Sequence, residues 1–274
     1  MPVAKRNNVS IHGSGPRTIV FAHGYGCDQN VWRHFVPVFE KQYRVVLFDQ
    51  VGAGQSELSQ YDPQKYAVLD GYAQDLLEVI EDTKASPAIF VGHSVSAMIG
   101  ALAAIKRPSA FEHLVMLCPS PCYINDGDYT GGFSREDIDG LLETIDNNYL
   151  GWASAMAPVI MGNPDRPELG QSLVDNFCRT DPEIAKRFAR VTFLSDCRSQ
   201  IARISTRTLI LACRKDAIVP EAVEEYLRSH IPGSTLVKLQ ATGHCPHLSA
   251  PLETMAALRD YLKKFEQGQS HESH

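Results

Sequence analysis

The sequence predicts an α/β protein whose core is a mostly parallel, doubly wound sheet carrying one inserted helical segment. Three observations predict it. Short apolar runs recur along the chain, helix-like stretches separate most of them, and the alternation stops across residues 119–197. Strands buried on both faces read as continuous apolar runs, and alternating β and α units imply a parallel sheet with helices on both sides.

The strand-like runs fall in order at 18–23, 43–49, 88–92, 113–118, 207–213 and 234–239. Between them, 72–82 repeats its apolar residues at helical spacing and 94–106 is rich in small helix formers. Within the break, Ser134-Arg-Glu-Asp has the serine and acidic first turn of a helix start. Further helices are expected over 151–160, 168–178 and 182–194. The chain therefore divides into a core of 1–118 and 198–274 and a four-helix lid of 119–197, inserted after the sixth strand of such a sheet. That places the lid above the C-terminal strand ends, where ligands bind in open α/β sheets. Residues 267–274 read as a frayed polar tail, and two histidines on a loose end fix no metal geometry.

At 274 residues the chain is long enough for one large domain plus an insert. With 44% hydrophobic and 21% charged residues and no apolar run of spanning length, no membrane segment is expected. A net charge of -6 without a basic cluster argues against nucleic acid. The N-terminus carries two basic residues but no apolar run behind them, so no secretory leader is read. Seven cysteines without a Cys-x-x-Cys pair fit reduced thiols and a cytoplasmic location. No cofactor or metal is called for.

The chemistry centres on Ser94. The stretch Ile-Phe-Val-Gly-His-Ser-Val-Ser-Ala-Met-Ile-Gly100 passes from strand to helix through a sharp turn, the form of a nucleophile elbow. The usual pattern is Gly-x-Ser-x-Gly, and Ser96 stands at its second glycine. A serine needs a histidine to take its proton and a carboxylate to orient that histidine. Asp216 follows one strand and His244 the next, giving the order Ser, Asp, His with all three at one sheet edge. Asp49 and Asp196 compete with Asp216, but Asp49 opens a turn-rich loop and reads as a cap of backbone amides. His247 competes with His244, which directly follows Gly243 in a tight loop, whereas His247 follows Pro246 and suits packing. The amide of Val95 and an amide from 23–26, best that of Tyr25, would hold a developing oxyanion. His23 and His93 read as loop braces, and Cys27 and Cys245 as small apolar wall residues.

The segments ending at Trp32, Ser56, Gly100 and Ser249 together resemble the α/β-hydrolase branch that contains the bacterial stress regulator RsbQ and the plant strigolactone and karrikin receptors. The resemblance spans nearly the whole chain, and in that branch Gly-His-Ser-Val-Ser is the normal elbow. It implies an α/β-hydrolase fold, a triad of Ser94, Asp216 and His244, oxyanion amides at Tyr25 and Val95, and a V-shaped four-helix lid over an apolar pocket. By position, Tyr123, Phe133, Leu142, Trp152, Met156, Phe193 and Ile218 would line that pocket. The resemblance implies a serine hydrolase for a small hydrophobic ester or butenolide-like lactone. Its alternative is a ligand-sensing protein that signals through a regulatory partner docked at the lid, with only slow hydrolysis. Cys27-Asp28-Gln29-Asn30 leans toward the bacterial type.

Overall fold

The computed structural model describes residues 1–269. Seven strands form one sheet: β1 (Ser10–His12), β2 (Arg17–Ala22), β3 (Tyr43–Phe48), β4 (Ala88–His93), β5 (Phe111–Leu117), β6 (Arg207–Lys215) and β7 (Thr235–Thr242). Their order is β1-β3-β2-β4-β5-β6-β7. Only β1 runs antiparallel, pairing Ile11 with Val46, and every other neighbour is parallel. β1 was not expected, because three partly exposed residues leave no apolar run to read.

The longer helices are α1 (Leu69–Asp82), α2 (Val95–Lys106), α3 (Arg135–Asn147), α4 (Tyr149–Met161), α5 (Pro167–Arg179), α6 (Pro182–Phe193), α7 (Glu221–His230) and α8 (Pro251–Gln269). Gln267, Gly268 and Gln269 thus close α8, and the rest of the expected tail, 270–274, lies outside the described residues.

Side chains of a strand alternate between faces, so each strand feeds two cores. Ile19, Phe21, Val45, Leu47, Ile89, Val91, Val115 and Leu117 join α8 and the helices between β5 and β6. Val20, Val46, Phe48, Phe90, Leu114 and Met116 join α1, α2 and α7 on the other face. Both faces are therefore covered, which is why the strands lack the polar alternation of a half-wet sheet.

Helices α3 to α6 leave the sheet after β5, one strand earlier than the sequence reading placed them. α3 starts at a capping box: the Ser134 hydroxyl accepts from the Asp137 amide at 3.0 Å, and the Asp137 carboxylate accepts from the Ser134 amide at 2.8 Å. The Asp181 carboxylate caps α6 through the amides of Glu183 and Ile184. At the other end of the site, Gly162 (φ 63°) ends α4 directly against Gly243 (φ 83°). A Cβ on Gly243 would lie 1.8 Å from the Met161 carbonyl oxygen, so only glycine admits this approach of two backbones.

Candidate active site

Ser94 sits between β4 and α2 with φ 54° and ψ -123°, a left-handed conformation that a residue with a Cβ holds only under strain. Its amide donates to the Leu117 carbonyl at 2.8 Å, tying the turn to β5. Gly92 is required by the fold-back, because a Cβ there would lie 2.5 Å from the Ser96 carbonyl oxygen. Ser96, the departure from the usual elbow, is fully buried. Its hydroxyl donates to the His23 carbonyl and accepts from the Gln50 side-chain amide. A second glycine would leave both partners unpaired, so here the serine is a tie between elbow and neighbouring loop.

β6 delivers Asp216 and the loop after β7 delivers His244. Their side chains meet with His244 Nδ1 2.7 Å from Asp216 Oδ2, and His244 Nε2 lies 2.8 Å from Ser94 Oγ. With the proton on Nδ1 donated to the carboxylate, Nε2 is free to accept from the serine hydroxyl. Asp216 also accepts from the amides of Ile218 at 2.8 Å and Val219 at 3.2 Å. Burial works to raise its pKa, yet the facing His244 and these two amides overcome it and hold the carboxyl below the usual range. The backbone of His244 is itself pinned at both its carbonyl and its amide. His93 Nε2–H donates to the His244 carbonyl at 2.8 Å, and the His244 amide donates to the Ile160 carbonyl of α4 at 2.8 Å.

The competing residues sit elsewhere. Asp49 accepts from the amides of Gln29 and Gln55 and from the Asn8 side chain. Asp196 is paired with Arg198. His23 accepts from the Gln50 amide at 3.0 Å, and its other ring nitrogen lies 2.9 Å from the Gly24 carbonyl. Burial pushes the Cys27 thiol up to about 12 and raises Cys245 as well, so neither is a thiolate nucleophile at neutral pH. Among the described residues, the cluster of metal-type donors is Cys118, Asp216 and His244, and the last two already hold each other.

His247 is fully buried between Trp32 and His93, with ring centroids 4.8 and 4.4 Å away and neither nitrogen hydrogen-bonded. Burial drives its pKa well below the ordinary value, and likewise lowers His93 to about 3. Both rings fold neutral but would titrate near 6.5 unfolded, so the stability tied to their neutrality is present above about pH 6.5 and declines below it, by about 1.4 kcal/mol per pH unit for each ring. Urea unfolding at pH 7.5 and pH 5 should show His247→Phe losing less stability on acidification than the unsubstituted chain. Equal losses would refute this.

In front of Ser94 lies a small cavity of about 40 Å³ with mostly apolar walls. Tyr25, Tyr123, Trp152, Phe193 and Ile218 are among its walls. Three expected wall residues are not. Phe133 is in the loop before α3, its amide donating to the Tyr123 carbonyl at 3.1 Å. Leu142 is buried in the packing of the helices themselves, and Met156 lines a separate groove with Leu141 and Ala155 on the far side of Trp152. The sequence reading missed Ile160, Leu173, Phe177 and Thr192, which do line it, whereas Cys27 and Cys245 stand in the wall as expected. Leu173 and Phe177 are four apart on α5, a usable signal, whereas Ile160 and Thr192 look like ordinary packing residues. A larger groove of about 870 Å³ runs past Arg214, Glu224 and Lys238 and includes Asp216 but not Ser94.

Val95 begins α2, so its amide has no carbonyl one turn earlier to bond. The Tyr25 amide donates to no other main-chain group among the described residues. Residues 19–258 match the alpha/beta hydrolase family model. The chain belongs to the alpha/beta hydrolase family. Its curated relatives include the Karrikin insensitive 2 receptor CA of Petunia hybrida, 41% identical over 91% of this chain and 93% of the relative. A strigolactone esterase of Arabidopsis thaliana is 38% identical over 94% and 96%. Among solved structures, a hydrolase from Oleispira antarctica superposes with a TM-score of 0.92 at 42% identity, covering 95% of this chain and 96% of that one. This family member is therefore of the strigolactone and karrikin receptor type in sequence. No helix among its described residues is long and apolar enough to cross a membrane.

Proposed function

We propose that the protein is a serine hydrolase acting on a small hydrophobic ester or lactone through an acyl-enzyme. The observation that carries this is the chain of contacts from Asp216 to His244 at 2.7 Å and from His244 to Ser94 at 2.8 Å, opening on an apolar cavity. Ser94 Oγ attacks the carbonyl carbon as its proton passes to His244 Nε2. The oxyanion that forms is held by the amides of Tyr25 and Val95, each donor being worth roughly 3 kcal/mol in the transition state. His244 then returns the proton to the leaving oxygen, which departs as the alcohol. A water molecule, deprotonated by the same nitrogen, releases the acid and restores the serine. Segment 119–197 acts as a lid, and seven unpaired cysteines suit a reducing cytoplasm.

The cavity in front of Ser94 has mostly apolar walls, so the favoured substrates are hydrophobic, butenolide-like rings among them. Incubation with a fluorescent butenolide ester, followed by intact-mass spectrometry, tests the reading. The expected result is Ser94-dependent release of fluorophore with a transient acyl adduct, and no release would overturn it.

A second reading, a ligand-sensing protein that signals through a partner at the lid, is favoured by the receptor named among the relatives. It predicts that the same butenolide shifts the melting temperature, and that substitutions on the outer faces of α3 to α6 abolish partner capture while ester hydrolysis survives.

A further inference from the structure

The groove of about 870 Å³ reaches the triad at Asp216 without touching Ser94, and its walls also include Cys213 of β6. Cys118 follows β5 at φ 49°, a left-handed conformation that a residue with a Cβ holds only under strain, and its amide is tied to the Leu211 carbonyl at 2.8 Å. Its Sγ lies 3.7 Å from Cys213 Sγ, and both thiols are buried. Ligand-type atoms of Cys118, Asp216 and His244 all lie within 4.8 Å of one another. Two sulfurs on one tetrahedral zinc ion stand about 3.8 Å apart, and a sulfur and a nitrogen or oxygen about 3.6 Å. The sulfur pair already has that spacing, and closing the rest takes side-chain shifts of about 1 Å. Neither Cys118 nor Cys213 lines the cavity in front of Ser94, so the hydrolysis makes no use of them.

We propose that Cys118, Asp216 and His244, with Cys213 as the fourth ligand, form a zinc site that switches the catalytic base off when it fills. The loss of activity rests on the serine-hydrolase reading, whereas the binding of the ion does not. Two thiols, an imidazole and a carboxylate suit zinc, and magnesium and calcium prefer all-oxygen sites. An ion entering along the groove meets Cys213 and Asp216 first. Each thiol releases its proton to water as its sulfur binds. His244 binds through the Nδ1 lone pair, so the one proton of its neutral ring must sit on Nε2. That nitrogen then donates to Ser94 Oγ instead of accepting from it, and the serine has no base. The ion also opens the 2.7 Å contact between Nδ1 and Asp216 Oδ2 to about 3.4 Å, the spacing of two such ligands on one zinc. The other carboxylate oxygen keeps its bonds from the Ile218 and Val219 amides.

Zinc chloride titrated into the full chain, with its thiols kept reduced by a phosphine, should stop p-nitrophenyl acetate hydrolysis, and a chelator should restore it. Cys118→Ser and Cys213→Ser should each keep the zinc-free rate. Each should raise the zinc needed for half-inhibition at least about tenfold, since losing even an outer-shell partner of a metal ligand costs about 10- to 100-fold in affinity. Two variants are used so that a folding failure in one leaves the other to decide. Cobalt chloride reports binding without turnover: the unsubstituted chain should show thiolate-to-cobalt charge-transfer absorption, and the double variant should not. Zinc held by the exposed Cys178 or by surface histidines would inhibit the variants and the unsubstituted chain alike, and that result would overturn the inference. So would hydrolysis that zinc leaves untouched. If the unsubstituted chain shows no Ser94-dependent turnover, the hydrolase reading falls, and the cobalt absorption still decides whether the metal site exists.

Discussion

Ser94→Ala should lower kcat/KM for p-nitrophenyl acetate by at least about a thousandfold while leaving the fold intact, because the nucleophile, base and orienting carboxylate act as a unit. The loss should not deepen when His244→Ala is added, since neither group works without the other. The strain at Ser94, with φ 54°, is retained by alanine, so the melting temperature should barely move. That makes the variant a clean probe: binding of an unreactive lactone by calorimetry should persist. A residual activity near that of the unsubstituted chain would place the chemistry elsewhere and remove the hydrolase reading.

Gly243→Ala is expected to damage both stability and turnover. The new methyl group would meet the Met161 carbonyl at 1.8 Å, and the site has φ 83°, where an L side chain is itself strained. Left-handed strain and overpacking together come to about 3 kcal/mol, readable as a lower urea midpoint. The only relief is to move α4 away from the loop, which breaks the bond from the His244 amide to the Ile160 carbonyl. Displacing the imidazole by about 1 Å should cost on the order of a hundredfold in kcat. A variant that folds less stably yet turns over normally would show that the Ile160 contact does not place the base.

The parts of this molecule that were legible in the sequence are those whose signal is local. A parallel strand buried on both faces announces itself as an apolar run, and an elbow as a strand, a glycine and a serine before a small-residue helix. The order of Ser94, Asp216 and His244 was readable because each follows its own strand, and parallel strands bring their C-terminal ends to one edge. The cavity walls were not readable in this way. Which faces of α3 and α4 look inward depends on how the helices of the insert pack against one another, so Leu142 on α3 and Met156 on α4 looked as eligible as Trp152. Ser96 gave a local signal of irregularity, but its meaning lay in the His23 carbonyl and Gln50 amide, far away in sequence.

The insert holds the base loop at the corner between α4 and α5, where the Ile160 carbonyl accepts from the His244 amide across two glycines and the Asn163 side chain donates to the Thr242 carbonyl at 3.0 Å. None of these contacts uses a side chain of α3 to α6. Residues of α3 to α6 can therefore be exchanged to suit a new ligand without disturbing where the imidazole sits, provided Gly162, Asn163 and Gly243 are kept. For anyone redesigning specificity, the walls are open to variation, and a lid transplanted from another scaffold would have to bring this joint with it.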